Sequence, residues 1–363
     1  MKITESEARK AFAERLGRAR LMRGLSQRAV AAGMEPPISN TAISKYEKGL
    51  MLPTSTVLIA LSNFFGVRPD FFFEPQPVTL GNIEFRKNAS LGRQVQHSIV
   101  HKAQEFFERY IEVEAILDFP RQQIPRFDLT ACAPEDLREK VVDAARKLRE
   151  QWGLGRQPIA SVHEMLEDHG VMVYDVDAGD AKFSGFAGWA GETPVIVLAK
   201  SLDSDLPRKR FTALHELGHL VMSLPTDLEK NVAERLSHLF AGEMLIPKDR
   251  FFAELGHERP FGVSVGELVA VKAQWGISMA AIMYRAKDLG VISDGGHRAF
   301  CIKYNRQKWA AGEPGSWSGS EQSGHFRQLV HRAAASQLIS ASKAAGLLGV
   351  SVRDFEREAV YAG

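Results

Sequence analysis

Apolar residues recur at helical spacing along most of the chain, and this pattern predicts a mainly helical protein. Near the N-terminus, four such segments are separated by Gly24, by the sequence PPIS and by Gly49. Ser26 stands at an N-cap position before the second segment, and Gly49 follows the third, so these segments carry residues that start and stop helices. Short helices with a tight break between the second and the third predict a helix-turn-helix bundle.

A much longer amphipathic pattern extends from Arg93 to Phe119 and predicts one long helix. The segment before it, PDFFFEPQPVTLGNIEFRKNASLG, is punctuated by proline and glycine and predicts a linker. An ordinary packing helix is the favoured interpretation of the long pattern. An arm between domains and a dimerisation face are the alternatives.

Three strand-like segments follow two further helical patterns in the middle of the chain: VMVYDV, KFSGFAGWA and TPVIVLAK. The next helical pattern carries a histidine motif. This order predicts an α+β fold, mostly helical, with a small sheet. TPVIVLAK is a candidate edge strand, to which an extended peptide could add.

Composition narrows the class of protein. A length of 363 residues suggests two or three domains, and 45% hydrophobic with 25% charged residues is ordinary for a globular protein. Two cysteines, Cys132 and Cys301, are too few for a disulfide framework. The N-terminus, MKITESEARK, lacks the apolar core of a signal peptide, and no apolar run is long enough for a membrane span. These features predict a cytoplasmic protein without membrane contact.

Positive charge is concentrated at the N-terminus. Residues 1–55 contain ten Lys and Arg against five Glu, a net +5 that leaves −3 for the remainder of a chain with net charge +2. A basic module on a near-neutral body is typical of a protein that binds double-stranded DNA. A helical bundle with a solvated basic face is the alternative.

The third helix is the expected recognition helix, since that element lies in the major groove with its N-terminal residues near the bases. The residues expected to face DNA are Asn40, Thr41, Ser44 and Lys45. Arg23 and Gln27 are expected to contact phosphates.

The sequence FTALHELGHLVM, residues 211–222, carries the strongest chemical signal. Its apolar residues have helical period, so His215 and His219 lie one turn apart on one face and can reach a single metal ion. Glu216 is then the expected general base, which takes the proton of the attacking water. Two buried histidines on a core helix would give the same short pattern by chance.

A catalytic zinc site uses three protein ligands and keeps one position open. The next helical pattern, LEKNVAERLSHLFAGEMLIP, offers Glu234 and His238 four residues apart on the face expected to pack against the motif helix. A carboxylate facing a core needs a partner, which a cation supplies. Glu234 is therefore the predicted third ligand. His238 is predicted to lie beside the metal or the substrate, and its role as the ligand in place of Glu234 is the alternative.

Two parts of the chain resemble known families. RARLMRGLSQ, followed by ISKYEKG, is similar to the Xre/Cro-type repressor domain, although the stretch between Gln27 and Ser44 is slightly longer than is usual there. RFTALHELGHLVM, followed by ERLSHLFAGEMLIP, resembles the ImmA/IrrE family of metallopeptidases. FRKNASLG and SMAAIMYRAKDLGVIS resemble flanking features of the repressor-fused members. Ser237 and His238 stand where that family usually has Ala and Asn.

The resemblance implies a gluzincin-type zincin fold with His215, His219 and Glu234 as zinc ligands and Glu216 as base. It also places Tyr284 and Arg285 on a helix near the site, where they or His238 would stabilise the tetrahedral intermediate. Zinc is the expected metal, with Mn²⁺ or Fe²⁺ as alternatives for the same ligands.

The predicted division of the chain has four parts. Residues 1–75 form an all-α Xre-type helix-turn-helix domain, and residues 76–125 a linker with the long helix. Residues 126–295 form the ImmA/IrrE-like zinc metallopeptidase domain with its small sheet. Residues 296–363 begin with a Gly- and Ser-rich loop or flexible segment and end in helices. A cap on the peptidase domain is favoured for these helices over a second DNA-contacting element.

Three hypotheses of function follow. The favoured one is a DNA-binding transcriptional regulator that is also a zinc endopeptidase and cleaves a repressor-like protein partner in a stress or mobile-element response, as the resemblance implies. The second is a regulator or antitoxin whose zincin-like domain is a sensor or oligomerisation module. The third is a general peptidase with a protein-binding bundle, which would have no salt-dependent DNA affinity. A homodimer is compatible with each.

Overall fold

The computed structural model describes residues 5–73, 80–81, 91–120, 122–260 and 262–360. Across these ranges the chain forms sixteen α-helices and six short strands, so the predicted α+β, mostly helical fold class is confirmed. No helix among the described residues is both long and apolar enough to cross a membrane.

The N-terminal bundle contains four helices, namely α1 (Glu5–Met22), α2 (Gln27–Gly33), α3 (Asn40–Glu47) and α4 (Ser55–Phe65). A serine or threonine caps each of the last three by accepting a hydrogen bond from a backbone N–H of the first turn: Ser26, Ser39 and Thr54. These caps satisfy donors that a helix leaves free at its start, which fixes where each helix begins.

Phe71 and Phe72 complete the core of this bundle. They belong to a short 3-10 helix, Pro69–Phe73, and are buried; the Phe72 ring lies 5.3 Å from that of Phe12. The prediction of a linker over PDFFFEPQPVTLGNIEFRKNASLG is therefore wrong for its first five residues, which pack in the bundle. Residues 74–79 and 82–90 of that linker lie outside the described residues.

The remaining helices are α5 (Arg93–Ile116), α6 (Leu137–Gln151), α7 (Val162–Asp168), α8 (Leu206–Val221), α9 (Lys230–Leu245), α10 (Lys248–Leu255), α11 (Val265–Trp275), α12 (Met279–Asp288), α13 (Asp294–Arg306), α14 (His325–Ala335), α15 (Ala341–Leu348) and α16 (Val352–Val360). The strands are β1 (Leu80–Gly81), β2 (Phe127–Asp128), β3 (Met172–Val176), β4 (Gly185–Ala190), β5 (Thr193–Ala199) and β6 (Met222–Ser223).

The main sheet has the strand order β1-β4-β5-β3. Strand β4 is antiparallel to β5 and to β1, whereas β3 is parallel to β5. The prediction that TPVIVLAK is an edge strand is wrong, because β5 lies between β4 and β3 and all of its residues are buried. An unbroken apolar run is typical of a strand covered on both faces. The run VIVLA in this segment therefore indicates a central strand.

Helices cover both faces of this sheet. On one face, Ile196 and Leu198 of β5 share a core with Leu214 of α8 and Phe240 of α9. On the other face, the strands pack against α5, α14, α15 and α16. The motif-bearing helix α8 is therefore held between the sheet and α9.

Helix α5 contacts both halves of the molecule. Near its start, Ser98 donates a hydrogen bond to the Met22 carbonyl at the end of α1. Further along, the phenyl ring of Phe106 stacks on Tyr174 of β3 with ring centroids 4.3 Å apart. The long apolar pattern thus belongs to a helix that packs against other elements along its length, as the favoured interpretation predicts.

The Gly- and Ser-rich segment, predicted to be a loop or flexible, is a loop with fixed contacts. Its first residues belong to α13, and we call residues 312–324 the strap. Glu313 accepts hydrogen bonds from the backbone N–H groups of Met279 and Ala280, and Glu321 accepts them from Val162 and His163. Two strap carboxylates thus bind the N-termini of α12 and α7, where helix dipoles favour negative charge.

Candidate metal centre

Helix α8 positions the two histidines of the motif. Asp205 caps the helix by accepting a hydrogen bond from the Arg208 N–H, and Pro207 occupies its first turn. One turn apart, His215 and His219 turn their rings towards each other, with their Nε2 atoms 3.1 Å apart. His215 is buried at 1% exposure, and the neighbouring Glu216 is also buried.

Glu234 of α9 faces this pair. Its carboxylate oxygens lie 3.4 Å from Nε2 of His215 and 3.9 Å from Nε2 of His219. Gly218 allows the two helices to pack closely, because a Cβ at this position would lie 3.1 Å from the Phe240 ring on α9. The glycine between the histidines therefore serves the helix contact that brings Glu234 to them.

The three donor groups fit a zinc ion. Zinc bonds of about 2.0–2.1 Å in tetrahedral geometry place neighbouring ligand atoms about 3.3 Å apart. The Nε2 atoms of His215 and His219 are 3.1 Å apart. Oε2 of Glu234 lies 3.4 Å from that of His215, and Oε1 of Glu234 lies 3.9 Å from that of His219. Two imidazoles and one carboxylate also form the ligand set of catalytic rather than structural zinc sites.

His238 is a fourth side chain with a ligand atom that could reach a metal at this site. It lies one turn after Glu234 on α9, and its ring centroid is 4.7 Å from that of His215. One ligand atom from each of His215, Glu234 and His238 lies within 4.8 Å of the others. The Phe211 ring flanks the imidazole of His238 at 5.7 Å.

Tyr284 and Arg285 make their contacts elsewhere. The Tyr284 side chain is 43% exposed and its ring lies 6.2 Å from that of His297. Arg285 is buried and forms an ion pair with Glu243, which also binds Arg146 at 3.2 Å. These contacts give Arg285 a structural partner and do not support the expectation that either residue stabilises a reaction intermediate.

The recognition helix presents its predicted residues outward. Asn40, Thr41 and Lys45 of α3 are exposed and Ser44 is half-buried. Ile43 and Tyr46 are buried in the bundle core. The outer face of α3 is therefore exposed, as a recognition helix that enters the major groove of DNA requires.

Arg23 and Gln27, predicted to contact phosphates, make hydrogen bonds within the bundle. The Gln27 amide donates to Glu47 at 2.7 Å, and Arg20 binds the same carboxylate at 2.6 Å. The Arg23 guanidinium donates to the Phe64 carbonyl at 2.7 Å. Gln27 thus connects α2 to the end of α3, a role that the sequence pattern did not reveal.

The sequence pattern did not predict the role of two buried cations at the start of α8. Lys209 is 1% exposed and its Nζ lies 2.7 Å from Asp175 and 2.6 Å from Asp203. Arg210 is fully buried and pairs with Glu321 of the strap. Two consecutive cations inside the motif helix could have indicated buried ion pairs. Their partners could not be identified, because they are distant in sequence.

His163 joins these ion pairs. It is fully buried, with Nδ1 3.0 Å from Glu321 and Nε2 3.4 Å from Asp175. Burial pulls its pKa down, but the hydrogen bonds with Asp175 and Glu321 outweigh this effect and raise the pKa above the ordinary value. A continuous charged network therefore fixes the beginning of α8, the helix that carries His215 and His219.

Comparison with protein families matches two regions of the chain. Residues 16–72 match the family model described as helix-turn-helix, and residues 166–287 match the model of the IrrE N-terminal-like domain, a peptidase family. The second match contains His215, His219, Glu234 and His238. Comparison with curated proteins found no match.

Proposed function

Because the chain joins an Xre-type helix-turn-helix domain to an IrrE N-terminal-like domain, we propose that it is a DNA-binding transcriptional regulator with zinc-dependent endopeptidase activity. The observation that carries the proposal is the convergence of His215, His219 and Glu234 from two helices, with Glu216 beside them. A metal site used only for structure does not need an adjacent carboxylate base.

In this proposal His215, His219 and Glu234 hold the metal. When bound, zinc would supply a Lewis acid for the peptide carbonyl and for water. Glu216 takes a proton from the attacking water and delivers it to the departing amine. Its burial supports this role, because a proton acceptor acts more strongly when bulk water is kept away.

The proposed substrate is an extended, flexible protein segment. Strand β5 is central, so a peptide would add beside β4 or beside the edge strand β3. We place it at the outer edge of β4, because this strand lies close to α8: a Cβ on Gly185 would be 3.3 Å from the Thr212 side chain. Within the described residues β1 pairs only with Trp189 and Ala190, and the edge from Gly185 to Gly188 could accept a peptide strand.

The helix-turn-helix domain would bring this site to DNA, where a repressor-like protein is the proposed target. The second candidate function, a regulator or antitoxin without peptidase activity, is favoured by one observation. His238 adds a fourth metal-binding side chain, and four protein ligands are typical of structural zinc sites.

The test measures zinc content and cleavage together. The wild type is compared with Glu216→Gln and with Glu229→Gln, an exposed glutamate without a side-chain cap bond at the start of α9. The substrates are repressors encoded near this protein. We expect one zinc per chain in all three proteins and cleavage by the wild type and Glu229→Gln alone, with a loss of about 10²–10⁴-fold for Glu216→Gln. Zinc in all three without cleavage of any repressor would contradict the peptidase and support the second candidate.

A further inference from the structure

The position of His238 has a consequence for how the metal centre is regulated. We propose that His238 is a displaceable fourth ligand that closes the site in the resting protein. The inference rests on the proposed metal centre and deepens it: the site is latent until substrate displaces this imidazole.

Helix geometry places His238 correctly for this role. It follows Glu234 by four residues on α9, so both side chains lie on the same face of the helix. Both are half-buried, and both lie next to His215 of α8. A metal held by Glu234 is therefore within the range of the next side chain along that face.

The distances point to coordination. The ring centroids of His215 and His238 are 4.7 Å apart, and those of the motif pair His215 and His219 are 4.8 Å apart. The donor atoms of His215, Glu234 and His238 lie within 4.8 Å of one another, against about 3.3 Å for ligands of one tetrahedral zinc. In this proposal the His238 side chain rotates towards the metal when the metal is bound.

The surroundings of the His238 ring favour its orientation towards the proposed metal. Phe211 flanks His238 with ring centroids 5.7 Å apart and presents an apolar surface. The polar donors of His215 and Glu234 lie within 4.8 Å of its ligand atom. The imidazole therefore has metal-binding groups beside it and an aromatic wall as another neighbour.

Coordination by His238 would change what the site can do. Three protein ligands leave one position of a tetrahedral zinc for the reaction, whereas four leave none. A substrate carbonyl then has to replace the imidazole, so cleavage depends on tight binding of the whole peptide. A closed site would thereby limit cleavage of unrelated extended segments.

The test uses the full-length protein and His238→Asn, since asparagine is the residue usual at this position in the family that the sequence resembles. His169→Asn is the matched control, because His169 is also half-buried and stacked on an aromatic ring, 4.4 Å from Trp152. Zinc affinity is measured by competition with a chromophoric chelator. Access to the metal is measured by titrating azide into the cobalt(II)-substituted proteins and recording the visible spectrum.

We expect His238→Asn to bind zinc at least about tenfold more weakly, because loss even of a supporting group beside a metal ligand has that effect. Its cobalt spectrum should change with azide, while those of the wild type and His169→Asn do not. Equal zinc affinity and equal azide response in all three proteins would overturn the proposal. An affinity loss and azide response without any cleavage would support the proposal and contradict the endopeptidase, which separates the two.

A different role for His238 gives the opposite result. If it donates a hydrogen bond to the reaction intermediate, His238→Asn keeps its zinc affinity and cleaves about 10²–10³-fold more slowly. A displaceable ligand instead predicts weaker zinc binding with cleavage at least as fast as that of the wild type.

Discussion

Trp317 of the strap lies against the guanidinium of Arg210, whose central carbon is 4.0 Å from the centroid of the indole ring. Gly276 makes room for this contact: it has φ +61°, and a Cβ there would lie 2.7 Å from Arg210 and 2.9 Å from Trp317. Because Arg210 precedes His215 on α8, the strap holds the helix that carries the metal ligands.

Replacing Glu321 with glutamine should destabilise the protein strongly. The change leaves Arg210 buried without its ion-pair partner, and breaking one side of a buried pair costs about 3–5 kcal/mol. The measurement is urea denaturation followed by tryptophan fluorescence. Gln322→Ala, at the adjacent exposed position, is the control and should change the free energy of unfolding by less than about 0.5 kcal/mol. A cost for Glu321→Gln no larger than that of the control would show that the strap does not hold α8.

Glu167→Gln should stabilise the protein above neutral pH. Burial raises the pKa of the Glu167 carboxyl from 4.5 to about 7, despite the hydrogen bond from Ser323 that lowers it. A carboxyl whose pKa is higher in the folded protein contributes stability below pH 4.5 that is lost as pH rises through about 7. The glutamine variant does not undergo this loss, so its advantage over the wild type should grow between pH 5 and 8 to at most about 3 kcal/mol.

The measurement compares unfolding free energies of both proteins at several pH values in chelator, which removes metal binding from the difference. Glu164→Gln changes an exposed carboxyl on the same helix and is the matched control. A difference between Glu167→Gln and wild type that stays constant with pH would refute the raised pKa.

Metal removal should lower the melting temperature. The ligands come from α8 and α9, so the complete site exists only in the folded protein. A bound ion therefore stabilises the folded state. At a free zinc concentration 100 times the dissociation constant, this linkage amounts to about 2.7 kcal/mol. Differential scanning fluorimetry with and without chelator measures it. His219→Ala should abolish the zinc-dependent shift, whereas His169→Asn should retain it; a shift that persists in His219→Ala would contradict the ligand assignment.

Asn40→Ala should weaken sequence-specific DNA binding. Asn40 is exposed at the start of α3, and loss of a good base contact costs about 1–3 kcal/mol. The measurement is the affinity for a site selected from random DNA, compared with that for unrelated DNA. Asn63→Ala, at an exposed position on α4, is the matched control. Equal losses on both kinds of DNA would show that Asn40 reads no base.

The two sites differ in how much the sequence revealed. The convergence of His215, His219 and Glu234 could be predicted because they lie on two helices that follow each other closely, where spacing alone sets which side chains share a face. The expected contacts of Arg23 and Gln27 were harder to predict. Whether a polar side chain faces solvent or another helix depends on tertiary packing, and here Glu47 and the Phe64 carbonyl accept their hydrogen bonds.

Long-range contacts limited the prediction of the fold in the same way. The sequence indicated the start of α2 through Ser26 and the end of α3 through Gly49, since helix caps are local. The place of β5 in the sheet depends on its neighbours β3 and β4, and the order of the strands is not encoded in one segment. The strap was predicted as a loop from its composition, but the burial of Glu321 depends on Arg210, 111 residues away.

Glu108 of α5 binds both Arg15 and Arg18 of α1, and all three side chains are buried. This cluster attaches the helix-turn-helix bundle to a helix of 24 residues, about 36 Å long, that packs on the face of the sheet opposite α8. A peptidase mounted in this way would face one side of the double helix. Cleavage of a second DNA-bound protein should therefore rise and fall with a period of about 10.5 base pairs as the spacing between the two binding sites is varied.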